Sequence, residues 1–395
     1  MAYSPHPVKR ISDIPPQGKK EPCLTSPQVM DMALKLASDY LPISRPEGAD
    51  YSPKDIISVL LYAAAQRTTI EQTCWSLEGA PHPNTVRLAL TPLEIEEIES
   101  RLNEGFKASL PRNLLSKPIE AAIDLKLVPY WGKAKEGEEE FLISGKPQHG
   151  TTKFFGYASI YLIKKDKRFT LGVRAVRRSE GLLGALRWCI KRLEELGAEV
   201  RCLYVDRQFF GVKVLRFLIE EKDIPFVMPA PERGKKGGIK GLLSREGPGV
   251  YPYKVRSPKE GEITVQVAIV GRYFKGKWEK HERKRYAFVV HRFPFRIGDL
   301  FKRYRRRFGI ESSHRIWDQA RARTASRMAG LRLLLIGLAI LLHNLWVLLK
   351  WAVVSLPRRG GRLVISKRFP FYRLLSFLSR AIEEKYKWIE AIVIY

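Results

Sequence analysis

The sequence predicts a mixed α/β core with a β-rich insertion, preceded by an all-α domain. Three observations carry this. Residues 118–229 alternate apolar runs and helical patterns in the order strand, strand, strand, helix, strand, helix, strand. Antiparallel strands followed by helix-linked crossovers build one mixed sheet with helices on its faces. Residues 25–117 repeat their apolar positions at helical spacing, whereas 230–293 turn glycine-rich and then alternate apolar with polar.

A chain of 395 residues suits two or three domains, and 45% hydrophobic content excludes general disorder. Charge is the unusual property. Against 41 Asp+Glu stand 70 Lys+Arg, a net charge of +29. Such an excess predicts salt-dependent attraction to a polyanion, and points to nucleic acid. Cys23, Cys74, Cys189 and Cys202 lie far apart without a C-x-x-C pair, so neither structural zinc nor a disulfide framework is expected.

Residues 1–24, with Pro5, Pro7, Pro15 and Pro16, read as a flexible arm without the apolar stretch of a signal peptide. In the helical domain of 25–117, Ser52-Pro53-Lys54-Asp55 is an N-cap with proline at the first helical position. Thr69–Leu77 and Thr85–Leu90 flank the break Pro81-His82-Pro83-Asn84, a pattern compatible with a helix-turn-helix variant presented to DNA or with a plain bundle. The run from Thr91 to Ala108 is an acidic-leaning packing helix.

The first part of the core, 118–229, begins with the strand Ala121–Val128. Gly156–Ile163 and Arg168–Val176 form a hairpin around Lys164–Lys167. Gly181–Leu196 is an amphipathic helix stopped by Gly197. Glu199–Asp206 is the fourth strand, Phe209–Glu221 a helix and Ile224–Met228 the fifth strand. Within 230–293, Ile263–Phe274 and Arg285–Phe293 alternate as strands of a separate insertion. The last core helices occupy 294–356, and 357–395 is a C-terminal helical region with its helix at Tyr372–Ile389. Leu333–Leu349 is almost wholly apolar, near the short limit for a membrane span. A buried core helix has the same signature, and with a single such run no membrane association is expected.

Read as one helix, Tyr304, Arg307, Glu311, Arg315 and Asp318 share a face. A carboxylate among arginines suits a site that handles a metal ion and a phosphate chain. Two further carboxylates stand in costly places: Asp124 interrupts an apolar strand and Asp206 ends one. The element order is that of the RNase H-like nuclease fold, in which the first and fourth strands are neighbours, so Asp124 and Asp206 would approach each other. Two aspartates and a glutamate can hold two divalent cations about 3.5–4 Å apart, and hard oxygen ligands suit Mg²⁺ or Mn²⁺.

From about 120 to 350 the chain resembles DDE transposases of prokaryotic insertion sequences that carry a Y-x2-R-x3-E-x6-K signature. Tyr304, Arg307 and Glu311 match its first three positions. Ala122-Ile123-Asp124 and Leu203-Tyr204-Val205-Asp206-Arg207 look like the two aspartate motifs. The resemblance implies an RNase H-like enzyme that cuts transposon ends and joins them to target DNA, by cut-and-paste, as a homodimer or larger assembly on DNA in the cytoplasm at the nucleoid. It implies Asp124, Asp206 and Glu311 as catalytic metal ligands, with Tyr304 and Arg307 on the phosphates of the transposon end. Arg207 would extend that grip. By itself, Trp278 in the insertion reads either as a stacking platform for an unpaired base or as a core or surface tryptophan. One departure is plain: the signature lysine falls on Asp318, and Arg315, one turn earlier, would supply the missing cation. Two alternatives are a structure-specific nuclease of the same fold and a non-catalytic DNA-binding descendant.

Overall fold

The structure, a computed structural model, describes residues 23–44, 48, 50–232, 238–274, 282–359 and 361–390, without side chains at 274, 282, 283, 308 and 361. Among the described residues, five helices come first: α1 (Ser26–Tyr40), α2 (Pro53–Gln66), α3 (Ile70–Ser76), α4 (Pro83–Leu90) and α5 (Ile95–Ala108). At the predicted start of α2, the Ser52 N–H donates to the Asp55 carboxylate at 3.0 Å. That bond satisfies a donor at the helix entrance. Arg67 ends the helix in the left-handed region, at φ 53.

Next come β1 (Ile119–Pro129), β2 (Leu142–Gln148), β3 (Thr151–Leu162), β4 (Thr170–Ala175), α6 (Gly181–Glu195), β5 (Val200–Val205), α7 (Val212–Arg216) and β6 (Phe226–Pro229). The insertion supplies α8 (Ile239–Arg245), β7 (Gly249–Ser257), β8 (Gly261–Phe274) and β9 (Glu282–His291). Then follow α9 (Leu300–Tyr304), α10 (Gly309–Trp317), α11 (Ala329–Val353), the hairpin β10 (Ser355–Arg358) and β11 (Gly361–Val364), and α12 (Phe371–Tyr386).

Among the described residues, nine strands form one mixed sheet in the order β2-β3-β1-β5-β6-β9-β8-β7, with β4 also paired to β3. β1 is parallel to β5, and β5 to β6, as two helix-linked crossovers require. Three expectations need correction. The insertion strands are not a separate unit, because β9 pairs with β6 and carries β8 and β7 into the same sheet. A strand, β2, follows the charged loop where the alternation was too weak to read. The run 304–318 is not one regular α-helix: a 3-10 turn at Arg305–Phe308 separates α9 from α10, and another follows at Asp318–Ala320.

The sheet divides two cores. On one side Ala122, Tyr161, Cys202, Tyr204 and Val227 pack with Phe288, Leu300, Tyr304 and Ile310. On the other, Ile119, Ala121, Ile123, Leu203 and Val205 join a larger core that includes the helices of 26–108 and α11. The long apolar helix is the centre of that core: its most apolar window is 94% buried within the protein. A Cβ at Gly337 would lie 2.2 Å from a Leu102 methyl, so glycine there lets α11 approach α5 closely. Asn344 pays for its polarity by hydrogen bonding: its Oδ1 accepts the Thr170 N–H at 3.0 Å and its amide donates to the Thr170 carbonyl at 2.9 Å.

Candidate active site

Read with a period of two, β1 places Glu120, Ala122, Asp124 and Lys126 on the face toward α9 and α10. Ile119, Ala121, Ile123 and Leu125 take the other face and join the larger core. The parallel register Ala122↔Tyr204, Ile123↔Val205 brings Asp124 beside Asp206, the first residue beyond β5. Across the antiparallel pairing, Asp124 stands opposite Ser159 of β3. Asp206 also caps the turn that follows, accepting the Gln208 N–H at 3.1 Å.

The segment 303–318 runs along β1, and its charges complement those of the strand in the same order. Arg303 lies 3.2 Å from Glu120. Arg307 bridges both aspartates, one Nη 3.3 Å from Asp124 and the other 2.9 Å from Asp206. Asp318 receives Lys126 at 2.6 Å. This register gives a reason for aspartate at 318: the strand presents a lysine there. Asp318→Lys would set two ammonium groups together. It is expected to cost about 1 kcal/mol or more of stability, and Lys126→Asp added to it should restore the melting temperature.

Burial pushes the Asp124 carboxyl up to about 6; Arg307 opposes the rise, while the charges of Asp206 and Glu311 add to it. Glu311, half-buried in the first turn of α10, therefore acts on the same site. Burial and the neighbouring cations Lys126 and Arg307 hold the His314 ring at about 3, so it is neutral at physiological pH. Its Nδ1 stands 3.7 Å from the Asp124 carboxylate and its Nε2 is 3.4 Å from the Ser159 hydroxyl. The Trp317 indole N–H donates to the Tyr161 hydroxyl at 2.8 Å and locks α10 on β3.

A carboxyl whose pKa is higher folded than unfolded favours the native state below the unfolded value, near 4, and loses that advantage as pH rises through about 6. Asp124→Asn removes the charge. In metal-free buffer its melting temperature should exceed the parent's at pH 8, and the difference should vanish by about pH 4. A constant difference across that range would contradict the placement of Asp124.

Asp124, Asp206 and Arg307 thus meet, and the charge of Glu311 is felt at Asp124. Tyr304 is buried behind them, its ring 5.1 Å from Phe288 and its hydroxyl 3.5 Å from the Val205 carbonyl, away from solvent. Arg207 and Arg315 are exposed. Trp278 lies outside the described residues. Sequence reading missed Lys126, Ser159 and Glu120. The period-two pattern of β1 carried a signal for Glu120 and Lys126, while Ser159 becomes notable only through strand register. Among the described residues no three His, Cys, Asp or Glu side chains form a group that could hold a metal ion. The guanidinium of Arg307 occupies the position between the aspartates and supplies the compensating charge. As donors, the three carboxylates fit a hard divalent cation, offering oxygen alone.

No protein-family profile and no curated protein matches the chain. Among solved structures it is similar to a piggyBac transposase, determined by cryo-electron microscopy in a synaptic complex with hairpin DNA. The two share 12% identity and a TM-score of 0.54 over 92% of this chain and 82% of that one. At that identity the likeness is one of fold, and the fold is transposase-like.

Proposed function

We propose that this chain is a DNA transposase of the insertion-sequence type, which cleaves transposon ends and joins them to target DNA by cut-and-paste on an RNase H-like core. One observation supports it above the others. Asp124, within β1, and Asp206, just beyond the parallel strand β5, sit side by side, with Arg307 between them and the charge of Glu311 acting on Asp124. Placing like charges together in a largely buried site is costly unless a cation belongs there.

Asp124, Asp206 and Glu311 would hold Mg²⁺ or Mn²⁺. Bound there, the metal supplies Lewis acidity toward a phosphodiester and neutralises charge developing on its oxygens. Arg307 is the residue that exchanges partners, compensating the aspartates in the free protein and turning to a DNA phosphate when the site is loaded. Its planar fork suits either anion. Tyr304, packed against the Arg307 guanidinium at 5.3 Å, positions it. Arg207 and Arg315, exposed near the site, contact the backbone of the transposon end without reading sequence. The net charge of +29 provides the general attraction to end and target DNA. Pairing two ends calls for a homodimer or larger assembly on DNA, working at the nucleoid.

The decisive experiment offers a pre-cut transposon end and a plasmid target with Mg²⁺ or Mn²⁺. Joined product supports the transposase reading. Cleavage without joining, under conditions where ends are bound, replaces it by a nuclease of the same fold.

A further inference from the structure

A second basic site lies beyond the carboxylates, at the C-terminal end of β1. A recess of about 610 Å³ is lined there by Tyr130, Trp131 and Tyr157 from the sheet, by Arg67 at the end of α2, and by Arg321, Arg323 and Arg332 around the segment between α10 and α11. Among the described residues, four arginines and no carboxylate line it. Along β1, about 20 Å separates Asp124 from Tyr130 at the recess.

Its parts are held by different means. The Arg323 N–H donates to the Thr68 carbonyl at 2.8 Å, which joins the segment to the end of α2. Arg332 is buried, stacked 4.7 Å from the rings of both Tyr130 and Phe155, and donates to the Ser326 carbonyl at 2.6 Å. Arg321 shares Asp318 at 3.3 Å. The side chains of Arg67 and Arg323 are exposed and make no ion pair among the described residues. Trp131 is 66% exposed, its indole N–H fixed on the His149 carbonyl at 2.9 Å.

Tyr157 points to a ligand. It is 2% exposed, and its hydroxyl has no hydrogen-bond partner among the described residues. Leaving a buried hydroxyl unpaired is costly, and this one belongs to a residue that lines the recess.

We propose that this recess binds a nucleotide of single-stranded DNA, with its phosphodiester among Arg67, Arg321 and Arg323, its base on Trp131 and a polar atom on the Tyr157 hydroxyl. Guanidinium groups pair with phosphate oxygens, and an exposed indole face held by its own N–H is a stacking platform that accepts any base. The inference rests on the reading of the chain as a DNA transposase, and extends the path of one strand beyond the carboxylates.

The test uses the full chain and a fluorescein-labelled oligothymidylate of about 12 nucleotides, within the usual range for a single-strand groove. Trp131→Ala should weaken binding about tenfold. Arg323→Glu should weaken it by a similar factor and lower the slope of log affinity against log salt by about one. Tyr157→Phe discriminates best, since a purely structural hydroxyl without a partner can be removed without loss of stability. It is expected to weaken binding about threefold at an unchanged melting temperature. Affinities of Trp131→Ala and Tyr157→Phe within twofold of the parent would overturn the site. Displacement of the oligonucleotide by an equimolar amount of thymidine monophosphate would overturn it too, by assigning the recess to free nucleotides. These readouts are of binding alone. Failure of strand transfer would remove the transposase reading without touching them, and their failure beside active strand transfer would remove only the recess.

Discussion

Alanine at Asp124, Asp206 or Glu311 is expected to lower strand transfer about 10³-fold or more, the scale on which loss of one charge-stabilising group in an enclosed site is felt. End binding should stay within a few-fold of the parent. The separation follows from the charges: affinity for DNA comes from the lysine and arginine excess, and removing a carboxylate takes away repulsion only. Double substitutions should cost little more than the worst single one, because groups that act as a unit are not additive. Each variant needs a melting curve, since Asp124 and Asp206 are both partners of Arg307. Transfer that survives one of these substitutions removes that residue from the assignment.

Arg307→Ala should be the most destabilising single change in the site. One guanidinium compensates two aspartates, and both sides of the contact are nearly out of solvent. Removing one partner of a buried ion pair costs about 3–5 kcal/mol, because the remaining charge is left alone. Here two are left, side by side. The loss should be largest in EDTA above pH 6, where Asp124 is charged, and should shrink in acid. Mn²⁺ should return part of it, since a cation bound only by the folded state stabilises that state by mass action. Arg307→Lys should fall between the two, as an ammonium lacks the fork that spans both carboxylates. An Arg307→Ala protein with the parent's melting temperature in EDTA would show that the aspartates need no compensation, and would count against a cation site.

Much of the site was legible because burial and polarity conflict locally. Asp124 stands in an apolar strand and Asp206 at the end of another, and both are adjacent in the sheet as the strand order predicts. The apolar run 333–349 could be a membrane span or a core helix by composition alone. The elements packed around α11 decide for a core helix. Less was legible where partners come from far along the chain. Asp318 looks misplaced until Lys126, 192 positions away, is set against it. The insertion strands look separate because their alternation carries no information on which edge they extend.

What local sequence carries here is periodicity, charge and breaks: strands with polar residues on one face, helices with caps, a polyanion-binding excess of cations. These depend on neighbours within a few residues, and so survive without the fold. Tertiary structure decided the rest. It joined β9 to β6, broke the run 304–318 into two helices at a 3-10 turn, buried Tyr304, and turned Arg307 onto Asp124 and Asp206. Each of those depends on desolvation and on the register between distant elements, quantities that exist only once the sheet has formed.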